Sequence, residues 1–207
     1  MASLSYDISL QLAYWVDCPK KKGKLILVQL KDGTPVSIHM LQPEDGPCII
    51  MHFRKLSDRS RYFRFMSTLK QLPQPVLNQL MDVDQERQVA LCLFTADVSR
   101  PRGVGIARYI RDPDNPEQAE IAIVVMDDFQ NQGAGSILLE RLIERARRNG
   151  IKTLTGISFP ENLRLKLLIQ KFKTKIRFDG QMYHFSIDLG SQQRFCKSDQ
   201  PYQSVHP

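Results

Sequence analysis

The chain has 207 residues, 29 Lys and Arg against 22 Asp and Glu for a net charge of +7, and 42% apolar positions. At roughly 100–200 residues per domain, that length suits one domain with an appendage, or two very small ones. Charged residues at 25% and aromatics at 8% exclude a disordered chain, a collagen-like repeat and a disulfide mini-protein.

In chain order, residues 1–24 carry the lone Trp15 and end in the basic cluster Lys20, Lys21, Lys22 and Lys24. They have no signal-peptide pattern and no lipidation signal, so the cytosol is the expected compartment. Residues 25–30 and 36–41 read as two strands joined by the turn Lys31-Asp-Gly-Thr34. A helix is expected after Pro43-Glu-Asp45, with Ile49, Ile50, Phe53 and Leu56 on its apolar side. Ser57 and Asp58 cap a second helix running to Phe65, and Pro73 and Pro75 precede a short helical turn at Leu77–Met81. Strands follow at 88–94, 103–110 and 119–126. A helix over 134–149 has Ile137, Leu138, Leu142, Ile143 and Ala146 on one face and Gly150 as its stop. A strand at 152–157, a helix at 161–172 and two strands around Asp179-Gly180 complete the pattern, and the last 18 residues are polar. The longest apolar runs, Val89–Phe94 and Ile121–Met126, fall far short of the ~18 residues of a membrane helix. Strands in series, then strand-helix-strand-helix, then a hairpin, predict a mixed α/β layout around one sheet. Cys18, Cys48, Cys92 and Cys196 form no Cys-x-x-Cys pair, so no metal is expected and all four read as reduced thiols.

The informative stretch is residues 119–139: a strand, the loop Gln130-Asn-Gln-Gly-Ala-Gly135, and a helix opening directly after the glycines. Free backbone N–H groups at a helix start, with the positive end of its dipole, bind phosphate. Glycines let the anion come close. Taken alone, Gly133-x-Gly135 is equally a tight strand-to-helix turn. A P-loop is excluded because no Gly-Lys-Ser/Thr follows, and a dinucleotide fingerprint because Leu138 stands where a third Gly or Ala belongs.

Gln130-x-x-Gly133-x-Gly135 after Val125, the helix that follows, the next strand, and Asn162 opening another helix together resemble the GNAT family of acyl-CoA-dependent N-acetyltransferases. Upstream, Pro43-Glu-Asp45, Leu56-Ser57, Ser60-Arg-Tyr62, Arg64-Phe65, Gly105–Tyr109 and Ala119-Glu120 resemble the acetyltransferase domain of the bacterial protein-lysine acetyltransferases called Pat. The likeness covers about residues 32–189, leaving 1–31 as a leader and 190–207 as a tail. It implies an α/β (α+β) GNAT fold: a mixed, mostly antiparallel sheet flanked by helices, with splayed strands holding acyl-CoA. It implies that backbone groups of Ile123, Val124 and Val125 pair with the pantetheine arm as an added strand, one N–H also polarising the thioester carbonyl. Gln130, Asn131, Gln132, Gly133, Ala134, Gly135 and Ser136 would hold the pyrophosphate, with Asn162 added from the next helix. Arg141, Arg145, Arg147 and Arg148 are compatible with steering the polyanionic cofactor, or with a solvated helix face.

The resemblance to Pat further implies that Glu120 is the general base, a group the chemistry needs because a lysine amine with a pKa of ~10.4 must lose a proton before it attacks. The alternative is a surface carboxylate paired with Arg108 or Arg111. Alternation puts Glu120, Ala122 and Val124 on one face and Ile121, Ile123 and Val125 on the other. Three positions depart from the family pattern: Ile169 where many members have a tyrosine acid, Lys173-Thr174 where Gly-Phe is common, and His39 where arginine is frequent. His39, His52 and His184 read as structural. The expected activity is acetyl transfer from acetyl-CoA, without a metal, to a protein lysine, with an acyl-CoA synthetase as one candidate partner. A small-molecule amine, a protein N-terminus and a degenerate CoA-binding sensor are the alternatives. Neither a membrane nor nucleic acid is expected, since the aromatics are not interleaved with the basic residues. The stretch before residue 32 is too short for a cyclic-nucleotide or synthetase-like domain, so a free-standing catalytic domain is expected.

Overall fold

A computed structural model describes residues 26–97 and 101–190; the basic cluster at 20–24 and the polar tail lie outside the described residues. Eight strands form one sheet, in the order β1-β2-β3-β4-β5-β6-β8-β7. They are β1 (Ile26–Gln29), β2 (Pro35–Met40), β3 (Gln88–Thr95), β4 (Gly103–Arg111), β5 (Gln118–Val125), β6 (Thr153–Ser158), β7 (Thr174–Phe178) and β8 (Tyr183–Asp188). All neighbours are antiparallel except β5 and β6. The sheet thus takes in residues 26–29, ahead of the domain start expected at 32.

Helix α1 (Gly46–Lys55), α2 (Asp58–Phe65) and α3 (Gln74–Met81) fill the connection from β2 to β3. Ser57 caps α2 as its residue type predicts, its hydroxyl accepting from Ser60 N at 3.2 Å. Helix α4 (Ala134–Arg148) makes the crossover from β5 to β6, and α5 (Leu163–Ile169) follows β6. Leu138, Leu139, Leu142, Ile143 and Ala146 are fully buried, and α4 lies across β3, β4 and β5. Burying each Leu or Ile contributes about 1.5–3 kcal/mol. Ile121, Ile123 and Val125 join this core, while Ala90, Cys92, Phe94 and Ile106 pack on the opposite face with Ile49 and Met81. The predicted alternation along β5 therefore holds.

Helix α5 is shorter than the expected 161–172. Asn162 caps its start, accepting from Leu165 N at 3.3 Å. The Thr174 hydroxyl donates to the Ile169 carbonyl at 2.6 Å and closes its end. Lys173 binds Asp188 at 2.9 Å. Lys173-Thr174 thus builds a side-chain stop where the family commonly has Gly-Phe. Cys92 is buried and forms no disulfide, but Cys48 is disulfide-bonded. This corrects the reading of four reduced cysteines, because spacing along the chain reveals only local pairs.

The three described histidines are held structurally. His39 Nε2 lies 2.9 Å from Ser37 Oγ, and His184 Nε2 lies 2.6 Å from Asp179. The His52 ring packs over Gly103 so closely that a Cβ there would come within 1.8 Å of it. Burial first, then the positive charge of Lys55, lowers its pKa to about 4, against a smaller pull from Asp45. The unfolded imidazole binds a proton below about pH 6.5 and the folded one only near 4. Between those values the unfolded chain carries more protons, so stability falls as the pH drops, by roughly 3 kcal/mol over the whole window. Urea midpoints should fall between pH 7 and 4.5, and His52→Gln should remove most of that slope. A flat profile in the parent protein would contradict this account.

Candidate active site

Strand β5 pairs with β4 along its length, from Ala119↔Arg111 to Val125↔Gly105. It pairs with β6 only at Gln118, Ala119 and Glu120, facing Thr153, Leu154 and Thr155. Beyond Glu120 the two strands part, leaving five residues, or about 17 Å, of β5 edge unpaired. Met126 N donates to Val104 O at 2.9 Å, and hydrogen-bonded pairs in an antiparallel ladder recur every second residue. Consequently Ala122 and Val124 direct their backbone groups at β4. The Val124 carbonyl indeed lies 2.8 Å from where a Gly105 Cβ would stand. Ile121, Ile123 and Val125 turn theirs toward the gap, and the Val125 carbonyl already accepts from Gln130 Nε2 at 3.0 Å. Of the three residues expected to pair with an added strand, Ile123 and Val125 present backbone groups, whereas Val124 presents its side chain.

At the far end of the gap the chain turns through Asp127–Phe129 and enters α4. Asn131 and Gly133 both have positive φ, 64° and 93°, the kind of curl that gathers successive N–H groups into an anion-binding concavity. A Cβ on Gly135 would come 3.2 Å from Leu168 Cδ2 and 3.8 Å from Val125 Cγ2, so glycine keeps the approach to the helix start open. Lys31 N fixes the loop by donating to Gln132 O at 2.9 Å.

A cavity of about 1080 Å³ joins the two ends. Glu120, Ile123, Val124, Val125, Gln130, Asn131, Gly133, Gly135, Ser136 and Asn162 line it; Gln132 and Ala134 do not. Ala134 is buried at the first position of α4 and Gln132 Nε2 donates to Asp128 O at 3.3 Å. The cations around the cavity are Lys31, Arg59, Arg64, Arg108, Arg164 and Lys171, from segments scattered over the sequence. Lys171 Nζ binds Ser136 Oγ at 2.7 Å, and Arg164 donates to Gln130 Oε1. Arg145, Arg147 and Arg148 instead lie in the last turn of α4, about 20 Å along the axis from its start. Arg141 pairs with Glu144 at 2.9 Å.

Glu120 stands where β5 leaves β6, on the face carrying α1–α3, and its side chain is exposed to the cavity. Among the described residues it makes no ion pair. Arg108 is buried and donates to Leu80 O, Gln79 O and Gln88 Oε1, while Arg111 donates to Pro116 O and Asn149 O. The surface-pair alternative for Glu120 is thereby removed. Ile169, at the position where a tyrosine is common, is buried in the core. Asp127 ties α2 to the glycine loop: its carboxylate accepts from Ser57 N at 2.9 Å and from the Ser57 and Ser60 hydroxyls at 2.8 Å. Burial opposes its charge, but these bonds outweigh burial and hold the carboxyl below its usual range. Sequence reading missed this residue and the cavity's cations.

The profile of the Acetyltransferase (GNAT) family matches residues 58–172. The chain belongs to the GNAT acetyltransferase family. It is 33% identical over 133 residues to Acetyltransferase PA5475 of Pseudomonas aeruginosa, covering 64% of this chain and 71% of that protein. It is 26% identical over 146 residues to Acetyltransferase Pat of Mycolicibacterium smegmatis, covering 70% of this chain but only 43% of that protein's length. The GNAT domain of S. lividans Pat superposes with a TM-score of 0.72 at 22% identity, over 79% of this chain and 96% of that domain. This GNAT protein is an acyl-CoA-dependent acetyltransferase by family, and the family uses acetyl-CoA. Its gap, glycine loop and open helix start fit an elongated phosphorylated thioester. Among the described residues no group of His, Cys, Asp or Glu could hold a metal ion, and no helix is long and apolar enough to cross a membrane.

Proposed function

We propose that this GNAT protein transfers an acetyl group from acetyl-CoA to the ε-amine of a protein lysine, with Glu120 as general base. The observation that carries the reading is the unpaired Glu120 carboxylate at the apex of the gap, in one cavity with the open start of α4. Acetyl-CoA supplies an acyl group activated as a thioester. The backbone N–H groups of Ile123 and Val125 hold and polarise the amide and carbonyl groups laid along β5. Those of residues 133–136 hold the diphosphate. Glu120, on the opposite face of the sheet from α4, accepts the proton of the incoming ammonium, directly or through a water. The lysine acceptor rests on the likeness to Pat.

One observation favours a second reading, a CoA-binding sensor without turnover: Ile169 is buried, so α5 brings no phenol into the cavity. Thiol release from acetyl-CoA, measured with lysine-bearing proteins and with small amines, separates the two. Release that requires a lysine substrate supports the proposal. Release only with small amines moves the acceptor class, and binding without release to any amine supports the sensor.

A further inference from the structure

The Arg64 side chain emerges from the last turn of α2 into the half of the cavity that contains Glu120, and also lines a small apolar pocket of about 60 Å³ behind Val124. Its guanidinium lies 5.0 Å from the Phe65 ring and has no hydrogen bond or ion pair among the described residues. Phe63, Phe65, Met66 and Leu80 line the cavity wall with it, together with the polar Ser60 and Gln79. The second guanidinium nearby, Arg108, is already committed to Leu80, Gln79 and Gln88. Arg64 is half-buried, and burial first, then Arg108, works against its charge, lowering its pKa to about 10 against the pull of Glu120. Arg108 does not neutralise it, and Glu120 stands beyond ion-pair distance. A planar fork of donors, open to the cavity and unmatched by the protein, suits a carboxylate.

Resting on the reading that Glu120 meets the acceptor amine, we infer that Arg64 is a subsite for a carboxylate carried by the acceptor close to that amine: an acidic side chain flanking the reactive lysine. Glu120 and Arg64 then form a complementary pair of charges, one for the ammonium and one for the carboxylate of the same acceptor. The subsite sets which lysines are chosen, through binding.

The test uses capped peptides containing one lysine flanked by Glu, their Gln twins, and free lysine against lysinamide. Each is assayed with the parent protein, Arg64→Met and Arg64→Lys, with melting temperatures taken to verify folding. The parent protein should show a KM about ten- to a hundredfold lower for the Glu peptide than for its twin, the range of a charge-assisted hydrogen bond. In Arg64→Met the ratio of the two KM values should fall to about one, and Arg64→Lys should restore part of it. Discrimination confined to free lysine over lysinamide, and lost in Arg64→Met, upholds the carboxylate subsite but moves the carboxylate to a small molecule. Equal KM values in the parent protein, or a preference that survives Arg64→Met, overturn the subsite. If no peptide is acetylated, calorimetry of the same peptides with CoA-loaded protein decides. An Arg64-dependent preference then upholds the subsite while the lysine-acceptor reading fails, and equal binding overturns it.

Discussion

Glu120→Gln should lower kcat/KM by about two to four orders of magnitude, the usual share of a positioned general base, while acetyl-CoA still binds. The side chain keeps its size, and the groups proposed to hold the cofactor line the cavity elsewhere, on the edge of β5 and at the start of α4. Because Glu120 bonds to no other described side chain, the substitution breaks no ion pair and the melting temperature should move by less than about 2 °C. The loss should shrink at high pH, where more of the amine is already neutral. Steady-state rates from pH 6 to 10 with a lysine substrate check both points. A full rate across pH 6–9 would remove Glu120 from the chemistry.

Gly135→Glu should abolish the stabilisation that acetyl-CoA gives. A ligand present at a hundred times its Kd stabilises the folded state by about 2.7 kcal/mol, which in a chain of this size raises Tm by roughly 5–10 °C. The new Cβ meets Leu168 Cδ2 at 3.2 Å. That is a methyl at the end of a flexible side chain, so the fold accommodates it. The carboxylate, by contrast, enters the space at the helix start where an anion belongs. Thermal melts with and without acetyl-CoA read the effect, and Gly135→Ala supplies the control for size without charge. An undiminished shift in Gly135→Glu would show that the cofactor's phosphates bind elsewhere.

The parts of this architecture that were legible in the sequence are those encoded by neighbours in the chain. The turn at Asp32-Gly33, the cap at Ser57, the alternation along β5 and the glycine loop before α4 each need only a few consecutive residues. The candidate site was legible to the same extent: its strand edge, its helix start and Glu120 belong to one continuous stretch, 118–136. The remainder of the cavity wall was not, because Lys31, Arg64, and Arg164 with Lys171 come from three separate segments that only the topology brings together. The arginines of α4 attracted attention because they follow the glycine loop in sequence, but a helix carries its last turn away from its first. Val124 shows the same limit on a finer scale. Its place in β5 was evident, but which neighbour receives its backbone bonds depends on the register with β4.

The short seam between β5 and β6 makes the sheet mechanically two sheets. One half, β1–β5, and the other, β6–β8, share a hydrogen-bond ladder only at residues 118–120 and 153–155. Below the seam, cohesion falls to the side chains of α4 and α5, to the stack of Tyr62 on Phe159, whose rings lie 4.5 Å apart, and to the bonds of Arg164 to Gln130 and Lys171 to Ser136. Backbone ladders resist sliding, whereas apolar packing tolerates small separations. The width of the gap is therefore set by side chains rather than by a backbone ladder, and an occupant that bonds to the β5 edge acts as a missing ninth strand, giving the interior of the sheet a continuity that the polypeptide alone does not provide.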